Sequence, residues 1–183
     1  MPAPNLTINE SQVLTALRAF LVAVLPVQTE IVQGQDNLVP EPLAGDFVVM
    51  TPTLAEPLET TVNTYFDGFF TGVPGQLSIL HPEKITVQLD IHGPNGYNNR
   101  TAIATLFRSD FGVQTMAASG VNVVPLYTEV ARQLPFLNDQ QQIEKRWVID
   151  AVLQSNPVVQ VGQDFAGRLK TGLIDVDVSF PPH

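Results

Sequence analysis

The sequence predicts an α+β fold in which about two helices pack on a mainly antiparallel sheet, with a protruding hairpin or loop. An apolar stripe at three- and four-residue steps indicates an amphipathic helix near the amino terminus. Later segments alternate apolar and polar residues with a period of two, which is typical of strands with one wet face. The helices and strands do not follow the regular order of a parallel sheet. We expect residues 1–183 to form a single domain.

Two segments show the apolar periodicity of helices. The first covers residues 9–25 and ends at Pro26, whose ring cannot continue a helix. The second covers residues 98–111, with Gly112 as its predicted stop. The apolar residues of the two stripes are Val13, Leu14, Leu17, Phe20, Leu21, Val24, Leu25, Ala102, Ile103, Leu106 and Phe107.

Several segments are predicted to be strands. The short apolar run at 47–50 is expected to close at Pro52, and clean alternation marks residues 85–91, 143–153 and 174–180. Trp147 alternates in phase with the apolar residues of its segment. We therefore expect its indole to face the core.

Residues 52–76 combine Thr- and Glu-rich sequence with an aromatic cluster broken by glycines. This pattern predicts a protruding hairpin or loop arm. Phe66, Phe69 and Phe70 lie in a stretch too rich in glycine for a core strand, so we expect at least two of them to contact a partner. The alternative is a small local core beneath the loop.

Composition excludes several classes of function. Hydrophobic residues make up 44% and charged residues 15% of the chain, so it folds and has little ionic surface, which indicates that copies or partners cover part of it. A net charge of -9 argues against nucleic-acid binding through counterion release. The chain has no cysteine, which excludes disulfides and thiolate metal sites and fits assembly in a reducing cytoplasm. The apolar run at 19–25 is too short for a membrane span.

Charge is distributed unevenly along the chain. Residues 1–92 carry two bases and ten acids, a net of -8, whereas residues 93–183 have a net of -1. No base lies between Arg18 and Lys84. The first half therefore carries nearly all of the negative field.

Only one pattern suggests chemistry, and it is weak. Asp90 and His92 share the polar face of a predicted strand, and Arg108 and Asp110 lie near the end of the second predicted helix, so an acid/base or metal site can be imagined. Further metal ligands are not evident, and an ion pair or a hydrogen-bonded turn explains the same pattern. We therefore predict that the protein is not an enzyme and has no cofactor or metal.

The sequence resembles the phage neck terminator or tail terminator family. The likeness extends over roughly residues 25–178, and no single piece of it is a catalytic signature. The segments that carry it are GDFVVMTP at 45–52, QLDIHG at 88–93, TLFRSD at 105–110, PLY at 125–127, KRW at 145–147, LQSNP at 153–157 and QDFA at 163–166.

The resemblance implies a structural protein of the virion. Members of this family form a ring, usually of six copies, that sits on the last ring of the tail tube and stops its polymerisation. The ring presents a surface to the head-side connector and leaves a lumen through which DNA passes without specific binding. We expect assembly in the host cytoplasm, no contact with a membrane, and contacts from Phe66, Phe69 and Phe70 to another subunit or to the tail tube protein.

An acidic lumen would repel DNA from its wall and let it pass. We therefore expect some of Glu41, Asp46, Glu56 and Glu59 to face the lumen, the alternative being an ordinary solvated outer surface. Two other functions remain open at this point. One is a different virion part, such as a head-completion, tube or baseplate protein; the other is a small metal-dependent hydrolase that uses Asp90, His92 and Asp110.

Overall fold

The computed structural model describes residues 4–34, 42, 45–68, 72–137, 143–165 and 172. These residues form three helices, α1 (Glu10–Val24), α2 (Gly96–Phe107) and α3 (Asp110–Ala117). They also form ten strands: β1 (Asn5–Leu6), β2 (Glu30–Gln33), β3 (Phe47–Pro57), β4 (Val62–Phe66), β5 (Gln76–Leu80), β6 (Glu83–His92), β7 (Val123–Thr128), β8 (Arg132–Leu137), β9 (Ile143–Ser155) and β10 (Val158–Gly162). The predicted α+β fold is confirmed.

The larger sheet, here called the main sheet, has the order β2-β3-β6-β9-β7, and β8 also pairs with β9. β2 and β3 are parallel, and the other ladders of this sheet are antiparallel. β6 lies at the centre and pairs with β3 and β9 along its whole length. Because side chains alternate between the two faces of a strand, Leu89 and Ile91 of β6 point to one face and Asp90 and His92 to the other.

The hydrophobic core lies between one face of the main sheet and the three helices. Phe20 of α1 and Phe107 of α2 meet edge to face in this core, with ring centroids 5.5 Å apart. Trp147 packs against the edge of the core and is only partly buried, so its predicted position on the core face holds while its burial is incomplete. The largest fully buried side chains are Phe20, Phe107, Leu17, Leu21, Leu89, Ile91, Ile103, Met116, Ile149, Leu153, Val48 and Val87.

Helix α1 forms where the sequence predicts it. Asn9 and Gln12 make a capping box: the Gln12 amide donates to Asn9 Oδ1 at 2.9 Å, and the Asn9 amide donates to Gln12 Oε1 at 2.9 Å. The helix ends at Val24, and Leu25 takes an extended conformation ahead of Pro26. Its apolar stripe lies on the main sheet.

The single second helix predicted at 98–111 is wrong in its extent. The chain forms α2, breaks at Arg108 and Ser109, and continues as α3, with Ser109 in an extended conformation as the N-cap residue. Gly112 does not stop a helix but lies buried inside α3. A Cβ there would lie 2.7 Å from the carbonyl oxygens of Leu106 and Phe107, so glycine permits the close approach of α3 to the end of α2.

The prediction that Pro52 closes its strand is also wrong. β3 continues to Pro57, and the register of its pairing with β6 shifts between Pro52 and Leu54. A bulge of this kind accommodates a residue that cannot donate to the ladder. The second half of β3 therefore belongs to the main sheet, although it lies within the predicted arm.

A second sheet, here called the peripheral sheet, has the order β1-β10-β5-β4, and all its ladders are antiparallel. Its strands continue those of the main sheet. β5 leads into β6 through His81 and Pro82, and β9 leads into β10 through Asn156 and Pro157. Backbone hydrogen bonds from the Leu58 amide to the Pro82 carbonyl (2.9 Å) and from the His81 amide to the Pro157 carbonyl (3.0 Å) join the strands at this proline corner.

Part of the predicted arm forms the β4–β5 hairpin of the peripheral sheet: residues 62–66 are β4, and β5 begins at residue 76. The strand predicted at 174–180 lies outside the described residues. Among the described helices, none is both long and apolar enough to cross a membrane.

Candidate functional site

The face of the main sheet opposite the helices carries a polar network centred on Asp90. The Arg146 guanidinium, on the neighbouring strand β9, donates to Asp90 Oδ1 from Nη2 at 2.7 Å and from Nε at 3.0 Å. The side-chain Nε2 of Gln88 donates to both oxygens of the same carboxylate, at 3.1 and 2.9 Å. Asp90 is buried, and these bonds compensate for its removal from water.

His92 occupies the end of β6 and is also buried. Its ring stacks on Phe47, with centroids 4.4 Å apart and planes 6° from parallel. Burial lowers the pKa of His92 below its usual 6.5, although the Glu144 carboxylate, 3.8 Å from Nδ1, favours the charged ring. The neutral ring therefore acts here as a packing residue.

The contacts of these residues are typical of a structural role and not of catalysis. Asp90 is held by Arg146 and Gln88. Asp110 lies in the first turn of α3, where its carboxylate interacts favourably with the positive end of the helix dipole. Among the described residues, no group of three or more His, Cys, Asp or Glu side chains is placed to hold a metal ion. Asp90 thus has the ion pair that the sequence favoured over a hydrolytic site. Its partner lies 56 residues away, and only the register of β6 and β9 brings the two together.

Asp46, one of the predicted lumen residues, is buried and fixes a turn. Its Oδ1 accepts a hydrogen bond from the Asn95 amide at 2.9 Å, and its Oδ2 accepts one from the Asn95 side chain at 2.7 Å. Gly93 has a φ of +101°, and a Cβ there would lie 2.5 Å from Asp46 Oδ1. Asp46 therefore ties the turn between β6 and α2 to the start of β3. This structural role explains why a carboxylate is buried here, and it does not depend on contact with DNA.

The other predicted lumen residues lie in different settings. Glu56, near the end of β3, forms an ion pair with Lys84 at 2.6 Å, and this pair raises the pKa of the Lys84 ammonium. Glu59 is exposed in the segment between β3 and β4. Glu41 lies outside the described residues. Glu56 and Glu59 thus lie close together in sequence beside the proline corner, and their orientation toward a lumen stays a prediction.

The peripheral sheet is at least partly exposed along all of its strands. No residue in its four strands is buried, whereas β6 and β9 of the main sheet are buried over much of their length. Phe66, one of the predicted interface residues, ends β4 and is 47% exposed. Phe69 and Phe70 lie outside the described residues.

One face of the peripheral sheet is mostly apolar. The registers place Leu6, Val159 and Ile79 in one row across β1, β10 and β5, and the row ends at the polar Asn63 of β4. They place Val161, Leu77 and Tyr65 in a second row across β10, β5 and β4, on the same face. Tyr65 is 59% exposed and Leu6 is 53% exposed. A sheet face of this composition is typical of a surface that another protein covers.

Sequence analysis missed a second exposed cluster, at the other end of the main sheet. Tyr97 and Arg100 of α2 meet Trp147 of β9, and the guanidinium carbon of Arg100 lies 4.4 Å from the Tyr97 ring centroid and 4.8 Å from the Trp147 ring centroid. The two rings meet edge to face at 5.9 Å. The only signal in the sequence is the i, i+3 spacing of Tyr97 and Arg100, which aligns two side chains on one helix face.

Asp90→Asn tests the structural role of the polar network. We expect a loss of about 2 to 3 kcal/mol in the free energy of unfolding at neutral pH, since Arg146 and Gln88 lose a charged acceptor away from bulk water. Asp150→Asn is the matched control, because Asp150 pairs with Arg132, whose side chain is 62% exposed, and its loss should cost less than about 1 kcal/mol. Urea denaturation measures both. Equal costs for the two variants would contradict this assignment.

His92→Phe tests the effect of burying a neutral imidazole. Because the pKa of His92 is lowered in the folded protein, the unfolded chain binds the proton first as the pH falls below 6.5. Stability contributed by the neutral ring is therefore complete above that pH and declines below it. Phenylalanine keeps the stacking on Phe47 and cannot titrate.

We therefore expect the stability of wild type relative to His92→Phe to be lower at about pH 5 than at about pH 7.5, as measured by urea unfolding of both proteins at each pH. Because both proteins are measured at each pH, the effects of carboxylates far from His92 on stability cancel in the difference. A stability difference that is the same at both pH values would contradict the expectation.

Comparison with known proteins agrees with this structural character. No curated protein matches the chain. A family model described as phage neck terminator protein matches residues 11–177, from α1 through both sheets and beyond the last described strand. With nearly the whole chain covered by that match, the protein belongs to the phage neck terminator family and is a structural component of the phage tail and neck.

Proposed function

We propose that this protein assembles as a ring of six copies that caps the phage tail tube, joins it to the head-side connector and leaves a lumen for DNA. Membership of the neck terminator family supports the location and the structural role. The observation that carries the proposal is the peripheral sheet, whose four strands contain no buried residue. A sheet normally buries at least one face, so a sheet that stays partly exposed on both faces supports contact with a partner.

The composition of the peripheral sheet defines the kind of partner. Its apolar face offers two rows of mainly aliphatic and aromatic side chains, with Asn63 as the polar member and no charged residue. Its edge strand β4 has the sequence VNTYF, without the lysine, proline or charge that usually protects an edge from pairing. Such a surface fits another protein, either the neighbouring copy or the tail tube protein, rather than DNA.

The acidic first half of the chain supports the proposed lumen. Six copies of a segment that has no base between Arg18 and Lys84 would produce a strong negative field. Of the four predicted lumen residues, Asp46 is engaged in a turn and Glu56 is paired with Lys84. This leaves Glu59 as the described one of the four that is best suited to face DNA. Repulsion between its carboxylate and the phosphates would keep DNA away from the wall.

Electron microscopy of the purified protein, alone and mixed with tail tubes, tests the proposal directly. We expect rings at the head-proximal end of the tube, and native mass spectrometry should give six times the 20.0-kDa mass of one chain. A chain that is monomeric in solution but closes on the tube agrees with the proposal, because the tube can act as a template. A protein that is monomeric in both settings, or that lies at the baseplate in virions, would overturn it.

A double substitution, Tyr65→Ser with Phe66→Ser, tests the peripheral sheet as an interface. Both side chains are about half exposed, so we expect little change in the thermal midpoint but at least about a tenfold loss of affinity for tail tubes or for other copies. Val27→Ser is the matched control, since Val27 is fully exposed in a loop away from this sheet. Insoluble double-variant protein would instead favour a local core, and the same comparison extends to Phe69 and Phe70.

Glu59→Lys tests the acidic lumen. We expect rings to form normally, to retain DNA that is released as salt is raised, and to support poorer DNA ejection from virions. The double variant Glu56→Lys with Glu59→Lys should retain DNA more strongly. Because it also breaks the ion pair between Glu56 and Lys84, Glu59→Lys alone is easier to interpret.

The lumen control is Glu129→Lys with Asp164→Lys, which makes the same charge change at two exposed acids outside the acidic first half of the chain. Gel-shift assays across a salt series measure DNA retention. Normal ejection and no DNA retention by the Glu59 variants would place these acids on the outer surface.

A further inference from the structure

The cluster formed by Tyr97, Arg100 and Trp147, here called the aromatic knob, has the composition of a binding hot spot. Tyr97 is 57% exposed, and the Arg100 guanidinium lies within cation–π distance of both rings. Arg100 Nε is buried and has no hydrogen-bond partner among the described residues. Trp, Tyr and Arg are the residue types that most often dominate interface energetics. Because the three side chains are already in mutual contact, they would lose little conformational freedom on binding.

The surroundings of the aromatic knob are apolar and positive. Ile143 and Lys145 precede Trp147 at alternate positions of β9, so the three side chains share one face of that strand. Ile143 is 78% exposed, and Lys145 is exposed as well. A partner for this surface needs an apolar hollow with acidic groups at its rim.

The protein itself has such a hollow, here called the acidic groove. It lies beside the amino-terminal half of α1, as two adjoining parts. The first, of about 400 Å³, is bounded by β3 and β6. The second, of about 360 Å³, is bounded by the start of β6 and by Leu6 and Val159 of the peripheral sheet. Both parts are lined by Val13 and Ile85, and both are bordered by Glu10 and Glu83. Leu54, which is 50% exposed, extends the apolar lining. Neither glutamate forms an ion pair with another described residue.

The aromatic knob and the acidic groove lie at opposite ends of the main sheet. Glu83 begins β6 beside the groove, and β6 ends at His92, just before the turn that leads to the first residues of α2. Ten residues of strand separate the two ends by about 30 Å, so the two surfaces cannot meet within one chain. Complementary surfaces at opposite ends of one subunit give head-to-tail contacts, which close into a ring when the rotation allows it.

We propose that the aromatic knob of one copy docks in the acidic groove of the next copy, with Arg100 and Lys145 facing Glu10 and Glu83. This contact rests on the ring of the proposed function and specifies which surfaces of the subunit build it. The charges are of opposite sign, and both surfaces offer apolar area that is exposed in the single chain. Leu6 and Val159 of the peripheral sheet line the groove, and the rest of that sheet, including Leu77 and Tyr65, then remains available for the tail tube or the connector.

A charge exchange tests the contact in the full-length protein, with purified tail tubes present as a template. Arg100→Glu and Glu83→Lys should each lower self-association by at least about tenfold, because like charges then face each other. Combining the two substitutions in one chain restores opposite charges and should recover most of the association. Arg108→Glu, at the other end of α2, is the matched control and should associate like wild type. Sedimentation velocity measures association, and circular dichroism checks the fold.

Because Arg100 is partly buried, Lys145→Glu serves as a second variant at an exposed position and should weaken association without affecting the fold. Wild-type rings together with unchanged association of Arg100→Glu, Lys145→Glu and Glu83→Lys would overturn the contact and leave the proposed function intact. Failure of the combined variant to recover would also overturn the pairing of these two surfaces. A wild-type protein that neither self-associates nor binds tail tubes would overturn the proposed function as well.

Discussion

Proline has no backbone N–H, so a strand that contains one cannot donate to a sheet ladder at that position. In this protein Pro57, Pro82 and Pro157 lie where strands of the main sheet meet those of the peripheral sheet. Hydrogen bonds from the amides of Leu58 and His81 join neighbouring strands across the corner. At all three prolines the chain therefore passes between the main sheet and the peripheral sheet. The peripheral sheet and the acidic groove lie beside this corner, whereas the aromatic knob lies at the other end of the main sheet.

The two sheets on either side of the corner differ in burial: helices cover one face of the main sheet, whereas the strands of the peripheral sheet stay at least partly exposed. On the main-sheet side, α1, α2 and α3 bury the apolar face, and the network around Asp90 satisfies buried polar groups on the other face. No residue of the four peripheral strands belongs to the core cluster, and these residues remain at least partly exposed. The main sheet can therefore fold around its own core, while the proposed assembly would bury more of the peripheral sheet.

The sequence was informative where local rules decide the structure. The apolar stripe of α1 and the alternation in β6 and β9 predict their elements because the helical and strand periods differ. It was misleading where a tertiary contact overrides a local signal. Gly112 reads as a helix stop, yet its missing side chain serves the packing of α3 on the end of α2. Pro52 reads as a strand end, yet a shift in register absorbs it.

The candidate sites show the same limit. The polar face of β6 identified Asp90 as a paired residue, but its partner Arg146 depends on the strand register, which the sequence does not reveal. The aromatic knob joins α2 to β9, so no local pattern contains all three of its residues. The exposure of the peripheral sheet is likewise a property of the whole fold. Its apolar alternation is the pattern of an ordinary half-buried strand.

A ring changes the strength that each contact needs. An exposed ion pair contributes up to about 1 kcal/mol, and a single knob-and-groove contact of modest area would hold two copies only weakly. In a closed ring every copy is held on both sides, so losing one copy breaks two contacts, and the second contact forms at a high effective concentration. If the peripheral sheets of all copies also engage one tube end, the tube organises the ring before it closes. Weak contacts between copies would then be sufficient to hold the proposed ring together.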